Sequence, residues 1–280
     1  MRLGSFTKTF VRDSFEEVLD AVAAHGLAAV QLNLDSVVGQ PMPDRLDTAT
    51  CSRIRSDLAA RNIELAAVSG TFNIIHPDRE ERGRGFARLR VLAAACAQMG
   101  APRITFSTGT RNPDYMWGGH PDNDTPEAWS DMLAAMTDAV AIATEFCVPL
   151  VFEPEVSNIV DTAVKARLLL DHCASPYLKV VIDGANLFHA GALPRMHQIL
   201  DEAFELLGPD IQMAHAKDLL RDGEAGNVAA GTGLLDYAHY LRRLRDAGFD
   251  GALILHSLDE AQVPESVAFV GAKLAALEAT

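Results

Sequence analysis

The most constraining feature of this 280-residue sequence is a repeat in which a short apolar run is followed by a stretch with helical character. The apolar runs occupy residues 3–6, 28–34, 64–73, 103–109, 150–155, 178–184, 211–218 and 251–258. Eight strand–helix units in 280 residues give 35 residues per unit, which matches the repeat of a closed parallel barrel. The runs are almost continuously apolar, as strands covered on both faces are. We therefore predict an α/β protein that forms a single (β/α)8 TIM barrel over residues 1–280.

Signals for helix boundaries fall between the apolar runs. They comprise a capping box at Ser14 and Glu17, helical stretches over roughly 48–61 and 80–99, and a helix start at Thr125. An open doubly wound sheet would show a similar alternation, but its first strand normally leads into a GxGxxG turn. Residues 3–10 contain no such turn, so the closed barrel is favoured. The polar, glycine-rich segment 109–124 is predicted to be a functional loop over the barrel mouth.

The charge balance limits the partners of the protein. It has 24 Lys and Arg residues against 38 Asp and Glu residues, which gives a formal net charge of −14. Such a surface repels phosphate backbones, so we expect no binding of nucleic acid. Charged residues such as Arg2, Lys8 and Arg12 interrupt any apolar core of a signal peptide, and no uncharged run approaches membrane-spanning length. We therefore expect a cytoplasmic protein without membrane association.

The cysteines indicate neither a metal site nor a redox pair. Four are present, far apart in segments with helical character and without CxxC spacing: Cys51, Cys96, Cys147 and Cys173. We expect free, buried thiols in a reducing compartment.

Ionisable residues end four consecutive apolar runs, the fifth to the eighth. They are Glu153, Asp183, His215 and His256. Their separations of 30, 32 and 41 residues follow the strand–helix repeat, so they should converge on one side of the barrel mouth. Two carboxylates and two imidazoles on rigid strands suit a divalent transition metal. We predict one divalent ion held by these four residues, with Mn²⁺ favoured and Co, Fe, Ni, Zn or Mg as alternatives.

Each of these residues also has a structural alternative. Taken singly, His256 could be a hydrogen-bonded structural histidine, and Glu153 could pair with an arginine. Asp183, which precedes a glycine, could be an ordinary turn residue. Agreement among four strands favours the metal site over coincidence.

Neighbouring ionisable residues extend the candidate site. Lys217 lies two positions from His215, hence on the same strand face, where it could hold a substrate oxygen. Asp218 is interpreted as part of a surface ion pair just beyond the strand. Glu155 shares the face of Glu153 and could either support it or contact substrate.

The chain resembles the xylose isomerase-like barrel superfamily, in particular its sugar phosphate isomerase/epimerase group, which also holds the inosose dehydratases and, more distantly, endonuclease IV. The resemblance rests on Glu153 in LVFEPE, Asp183 in VVIDGANLFHAG, the segment HAKD at 215–218, and GTGLLDY at 231–237 followed by LRRLRDAGFDGALIL. It covers the whole chain and is strongest from the fifth run onward. It implies a divalent metal held by Glu, Asp, His and a second Glu, with the two glutamates placed to move protons beside a metal-bound sugar carbonyl.

Two positions depart from the pattern that the resemblance implies. His256 stands where the second glutamate is usual, and Asn186 stands where many epimerases carry a histidine. His256 could still bind metal or act as an acid or base near neutral pH. The two-glutamate shuttle is not available as written, which favours mechanisms with one strong base and a separate acid.

The resemblance also implies substrate contacts outside the metal ligands. Asn73 and His76 occupy positions that commonly line the substrate pocket, although His76 could be a plain loop residue. Arg111 could contact a substrate acid or phosphate, or be solvated. Trp117 and His120 are consistent with a sugar-stacking lid, with an exposed loop histidine as the alternative. The glycine loop at 231–233 has no Walker Lys-Ser/Thr, but its N–H groups could receive phosphate.

The leading functional hypothesis is a metal-dependent isomerase or epimerase of a small sugar or keto-sugar. Glu153 would be the base, His256 or His76 would return the proton, and Lys217 would stabilise the enediolate. The rivals are a metal-dependent lyase or dehydratase acting on a keto-inositol or 3-keto-sugar, and a non-catalytic sugar-binding barrel. An endonuclease is disfavoured by the net charge of −14. The expected partner is a small sugar, and a homodimer or homotetramer could form.

Overall fold

The computed structural model describes residues 1–279 and contains a closed barrel. The strands are β1 (Arg2–Phe6), β2 (Ala29–Leu32), β3 (Glu64–Ser69), β4 (Ile104–Phe106), β5 (Leu150–Phe152), β6 (Leu178–Asp183), β7 (Ile211–Asp218), β8 (Val228–Ala229) and β9 (Ala252–Leu255). Strands β1 to β7 run parallel in sequence order, β9 follows β7, and β9 pairs with β1 to close the sheet. The prediction of a single (β/α)8 barrel is confirmed.

Helices alternate with the barrel strands. They are α1 (Phe15–Ala24), α2 (Asp35–Val38), α3 (Thr48–Ala60), α4 (Arg79–Met99), α5 (Pro126–Glu145), α6 (Ala163–Cys173), α7 (Met196–Leu207), α8 (Tyr237–Asp246) and α9 (Val263–Glu278). Ser14 and Glu17 form the predicted capping box before α1, each side chain bonded to the other residue's N–H at 3.2 Å. None of the helices within residues 1–279 is long and apolar enough to cross a bilayer.

The barrel separates two apolar layers. The inner layer is a small cluster in the barrel lumen: Phe6, Ala29, Ala66, Ala67, Val151, Val181, Met213, Ala252 and Ile254. The larger layer packs the outer strand faces against the helices. Because side chains alternate along a strand, residues two positions from an inner residue point inward as well. This places His215, two positions beyond Met213, in the lumen and above the apolar cluster.

Several strands are shorter than their apolar runs. The runs 64–73, 103–109, 150–155 and 251–258 extend past strands that end at Ser69, Phe106, Phe152 and Leu255. Beyond each end the backbone leaves the sheet ladder and bonds within the loops; Glu155 N–H, for example, donates to Val160 O at 3.0 Å. Glu153, Glu155 and His256 consequently lie just past strand ends, in the loops that form the barrel mouth.

Two short elements were not predicted. Helix α2 is a single turn after β2, and β8 folds back on β7 in an antiparallel pair that matches Lys217 with Ala229. The loop over residues 109–124 is largely irregular, as predicted, and ends in a 3₁₀ turn at Pro121–Asp124.

The cysteines are free among the described residues, and their expected burial is only partly correct. Cys51 and Cys96 are buried in helices, and burial raises the pKa of the Cys96 thiol to about 12. Cys147 is exposed, in the left-handed backbone position that follows α5, and Cys173 is half-buried at the end of α6. The latter two positions end helices, where the chain turns and no longer presents a face to the core.

Candidate active site

A cavity of about 550 Å³ opens at the carboxyl ends of the barrel strands. Three of the four predicted metal ligands, Glu153, His215 and His256, line this cavity, whereas Asp183 is fully buried and does not. The lining also includes polar, charged and aromatic side chains: Phe6, Lys8, Gln31, Asn33, Met42, Ser69, Thr105, Tyr115, Trp117, Glu155, Asn158 and Lys217. Tyr115 and Trp117, in the loop after β4, remain substantially exposed. The cavity therefore has a polar, ionisable floor and aromatic side chains at its rim.

His215 lies at the centre of the floor and is 3% exposed. Its Nδ1 is 3.4 Å from Glu153 Oε1 and 3.8 Å from Asp183 Oδ2. Its Nε2 is 2.9 Å from Gln31 Oε1. The register of β6 and β7, which pairs Asp183 with His215, places the carboxylate beside the imidazole.

Asp183, His215 and His256 together could hold a metal ion. One nitrogen or oxygen atom from each lies within 4.8 Å of the others. Two buried atoms of this group, Asp183 Oδ2 and His256 Nδ1, have no hydrogen-bond partner among the described residues. Buried polar atoms rarely lack a hydrogen bond. A divalent cation would satisfy His256 Nδ1 and would add to the ion pair that Asp183 Oδ2 makes with Lys217. The mixed carboxylate and imidazole donors thus fit the predicted ion.

Glu153 stands beside this group and is held by Asn186. The Asn186 Nδ2 donates to Glu153 Oε1 at 2.7 Å, and its Oδ1 accepts from Gly226 N–H at 3.1 Å. Burial raises the pKa of Glu153, but its interactions with the neighbouring His215 and Lys217 lower it by more, so the net shift of the pKa is downward. Glu153 is therefore ionised at neutral pH. Asn186 is fully buried and orients this carboxylate.

Lys217 supplies a buried positive charge at the cavity floor. Its Nζ lies 3.4 Å from Asp183 Oδ2. Burial lowers the pKa of Lys217, but the negative charges of Asp183 and Glu153 raise it by more than that, so the net shift of the pKa is upward. The ammonium remains charged and faces the cavity, where it can donate to a substrate oxygen.

Glu155 also faces the cavity and is 5% exposed. It accepts a hydrogen bond from Asn158 Nδ2 at 3.3 Å, and Asn158 in turn accepts from Ser107 Oγ at 2.8 Å. Burial, together with the negative charge of Glu153, raises the pKa of Glu155 to about 8. The residue is protonated at neutral pH, unlike Glu153 two positions earlier.

His256 packs against the first strand. Its ring stacks on Phe6 with centroids 4.5 Å apart, and its backbone N–H donates to Ala216 O at 3.1 Å. Burial, with further contributions from the charges of Lys217 and His215, lowers the pKa of His256 well below 6.5. The neutral imidazole keeps a lone pair for a cation, and it is poorly suited to donate a proton as an imidazolium.

Asp218 has a different role from the predicted surface ion pair. It is 1% exposed, and its carboxylate accepts backbone N–H bonds from Leu219, Gly231 and Leu235 at 2.9–3.1 Å. A Cβ at Gly233 would lie 2.4 Å from Asp218 Oδ1, so the loop can only approach this closely with glycine there. The glycine loop wraps around Asp218 and fastens the end of β7, which leaves these N–H groups occupied and not free for phosphate.

Four candidate substrate contacts lie outside the cavity lining. The Asn73 side chain donates to Thr110 O at 2.8 Å and accepts from Thr110 N–H, thereby bracing the loop after β4. His76 Nε2 lies 2.9 Å from Pro113 O. Arg111 donates to Asp131 Oδ2 at 2.8 Å, and His120 Nδ1 accepts from Asp122 N–H at 3.2 Å. These positions give no support for substrate binding by Asn73, His76 or Arg111, because each side chain is committed to the loop or helix around it.

Sequence reasoning missed the polar side chains of the early strands. Gln31 is 2% exposed and donates through Nε2 to Ser69 Oγ at 2.9 Å and Thr105 Oγ1 at 3.0 Å. Asn33 Nδ2 also donates to Ser69 Oγ, at 3.2 Å. A signal was present in AAVQLNL, because Gln31 and Asn33 are polar residues spaced by two within a buried strand.

The fold is a closed (β/α)8 barrel with a cluster of ionisable side chains at its mouth, and the sequence comparison identifies its family. The model of the family described as xylose isomerase-like TIM barrel matches residues 19–273. The chain belongs to this family. Among curated proteins, none matches the sequence.

Solved structures share the fold at low sequence identity. A D-tagatose 3-epimerase-like protein superposes with a TM-score of 0.76 at 13% identity, covering 99% of this chain and 98% of the other. The 3-keto-D-glucoside 4-epimerase of E. coli gives 0.70 at 15% identity, covering 97% and 99%. The IOLI protein, solved with a bound zinc atom, gives 0.74 at 14% identity, covering 99% and 98%. At these identities the similarity establishes the common fold.

Proposed function

We propose that the protein is a divalent-metal-dependent isomerase or epimerase of a small sugar or keto-sugar, acting by proton removal next to a carbonyl. The observation that carries this proposal is the grouping of Asp183, His215 and His256 within 4.8 Å, beside an ionised Glu153. Of these residues, Glu153 and both histidines line one cavity. The family and the epimerases among the structural neighbours support the same class.

The cavity floor supplies the polar groups that such a reaction needs. A divalent cation held by Asp183, His215 and His256 would supply Lewis-acid polarisation of the substrate carbonyl. Glu153 is the base, since its lowered pKa leaves it ionised and able to accept a proton, and its Oε1 is fixed by Asn186. Lys217 donates to the oxygen that becomes negative as the proton leaves.

The return of the proton distinguishes this site from one with two ionised glutamates. His256 remains neutral because burial lowers its pKa well below 6.5, so it has no imidazolium proton to give. Lys217 and Glu155 both face the cavity and both hold a proton at neutral pH. Of the two, Glu155 is the weaker base and the more suitable proton donor.

The cavity volume indicates the size of the substrate. At about 30 Å³ per water-sized group, 550 Å³ accommodates roughly 18 such groups. A hexose has six carbons and six oxygens, so the cavity has room for a hexose and a further substituent. Trp117 and Tyr115 at the rim would stack on the apolar face of a sugar ring or on that substituent.

Solvent exchange of the substrate proton tests the proposal. The protein is loaded with Mn²⁺ in D₂O and incubated with keto-hexoses, keto-pentoses and 3-keto-glucosides, and deuterium at carbon is followed by NMR and mass spectrometry. We expect exchange next to the carbonyl of at least one of these substrates. Glu153→Gln should abolish the exchange, whereas Glu202→Gln, an exposed change on α7, should retain it. Absence of divalent-ion uptake, or exchange by Glu153→Gln at the full rate, would contradict the proposal.

A metal-dependent lyase is the second candidate. The observation in its favour is that His256 at the cavity floor is neutral. Glu153, beside His215, is then the ionised carboxylate that can act as the base at the cavity. The same proton removal then expels hydroxide, or another leaving group, from the neighbouring carbon. With 3-keto-sugars and keto-inositols this elimination produces a conjugated enone with ultraviolet absorbance. Isomerisation leaves the absorbance unchanged, so a spectrophotometer distinguishes the two reactions.

A further inference from the structure

We infer that Gln31 is a positioning residue that holds the proton of His215 on Nε2 and thereby presents Nδ1 to the metal site. Gln31 is on β2, on the far side of the lumen from β7, and its side chain spans the barrel to meet the imidazole. The inference rests on the proposed function for its catalytic consequence, but the proton position can be observed without turnover.

The amide of Gln31 lies with its nitrogen toward the hydroxyl groups of two neighbouring strands. Its Nε2 donates to Ser69 Oγ on β3 at 2.9 Å and to Thr105 Oγ1 on β4 at 3.0 Å. Both amide hydrogens are thus used on one side, which leaves Oε1 to face His215. In the reverse orientation both hydroxyls would donate to Oε1, and an amide N–H would face Nε2 of His215 and leave the ring hydrogen on Nδ1.

A carbonyl oxygen accepts hydrogen bonds and cannot donate them. At 2.9 Å, Oε1 of Gln31 therefore requires a hydrogen on Nε2 of His215. The neutral ring carries a single hydrogen, so the lone pair is then on Nδ1. Nδ1 is the nitrogen that lies 3.4 Å from Glu153 Oε1 and 3.8 Å from Asp183 Oδ2.

Without Gln31 the same surroundings would favour the other arrangement. Two carboxylate oxygens attract a proton to Nδ1, and a ring protonated only there has no lone pair for a cation at that position. Gln31 opposes this because its Oε1 accepts a hydrogen bond from a proton on Nε2 of His215. A cation that binds at Nδ1 would displace any second proton from that nitrogen. Partners of this kind change metal affinity by roughly 10- to 100-fold when removed.

Three variants separate this role from simple packing. Gln31→Met removes the acceptor while keeping the length of the side chain. Gln31→Glu keeps an acceptor toward Nε2. Thr105→Val removes one of the two groups that orient the amide but leaves Oε1 in place. Affinities for Mn²⁺ and Zn²⁺ are measured by chelator competition, and circular dichroism checks folding.

We expect Gln31→Met to weaken affinity by roughly 10- to 100-fold, Thr105→Val to weaken it less, and Gln31→Glu to bind at least as tightly as the wild type. Nitrogen-15 NMR of the histidines in the zinc-loaded wild type, assigned by comparison with His215→Asn, should show hydrogen on Nε2 of His215 and none on Nδ1. Unchanged affinity in a folded Gln31→Met protein, or an Nε2 without hydrogen, overturns the inference.

The test of the role of Gln31 can be separated from the test of the proposed function. If the wild type binds zinc but turns over no sugar, the affinities and the NMR spectrum still decide the role of Gln31. If the wild type binds no metal, the proposed function fails, and the spectrum of the metal-free protein, recorded with His215 neutral, decides which ring nitrogen carries the hydrogen. If Gln31→Met does not fold, Gln31→Glu, Thr105→Val and the wild-type spectrum provide the same test.

Discussion

The buried Glu155 carboxyl should make the stability of the metal-free protein depend on pH, and Glu155→Gln should remove that dependence. Burial, with the charge of Glu153, raises the pKa of Glu155 to about 8 in the folded protein, against an ordinary 4.5. A group whose pKa is raised by folding stabilises the folded state while it is protonated. Its contribution is complete below pH 4.5 and is lost as the pH rises through about 8.

The magnitude follows from the gap between the two pKa values. One pKa unit corresponds to about 1.4 kcal/mol. Ionisation of Glu155 in the unfolded chain therefore lowers the free energy of unfolding by about 1 kcal/mol at pH 5 and by about 3.4 kcal/mol at pH 7. Glu155 should therefore lower the free energy of unfolding by about 2.5 kcal/mol between these two pH values. The glutamine of Glu155→Gln does not ionise, and its side-chain oxygen can still accept from Asn158 Nδ2.

The assay is equilibrium urea unfolding at pH 5 and pH 7 in the presence of EDTA, because a cation at the floor would favour the ionised form of nearby carboxyls. The two tryptophans, Trp117 and Trp129, report unfolding by fluorescence. Glu202→Gln, on the exposed face of α7, corrects for the loss of one acidic residue. We expect the difference in the free energy of unfolding between Glu155→Gln and the wild type to shift by about 2.5 kcal/mol in favour of the variant from pH 5 to pH 7. Parallel changes in the two proteins would refute the reasoning.

Further predictions concern the loops and the rim. Asp218→Ala should lower the free energy of unfolding by about 3 kcal/mol, measured by urea titration, because Leu219, Gly231 and Leu235 lose the acceptor of their N–H groups. Tyr240→Phe removes a hydroxyl that donates to Ile182 O and His215 O, and should cost about 1–2 kcal/mol in the same assay. Trp117→Ala should raise KM several-fold with little change in kcat in steady-state assays, whereas Arg111→Gln, whose target side chain is paired with Asp131, should leave KM unchanged.

The repeat of apolar runs was sufficient to predict the barrel, because eight evenly spaced strands admit few other closed arrangements. The floor was predictable for a related reason. Asp183, His215 and Lys217 are within strands, and alternation along a strand determines which of them face inward. Glu153 and His256 directly follow strand ends, so alternation along the strand predicts the direction of their side chains as well.

Contacts between distant strands could not be read from the sequence. Gln31 meets His215 across the lumen, and that contact depends on the registers of all the strands between β2 and β7. The burial of Asp218 depends on how the glycine loop closes over it after β8, which apolar periodicity does not specify. The sequence left open whether Arg111 contacts a substrate anion or is solvated, and it gave no sign that the side chain donates to Asp131 of α5.

The stacking of Phe6 on His256 joins the first barrel strand to the last. During synthesis, β1 leaves the ribosome long before β9 and has only β2 as a partner until the final strand arrives. A nascent chain that already displays Asp183 and His215 still lacks the third donor and the aromatic wall behind it. The proposed cation site should therefore be completed only when the ring of strands closes.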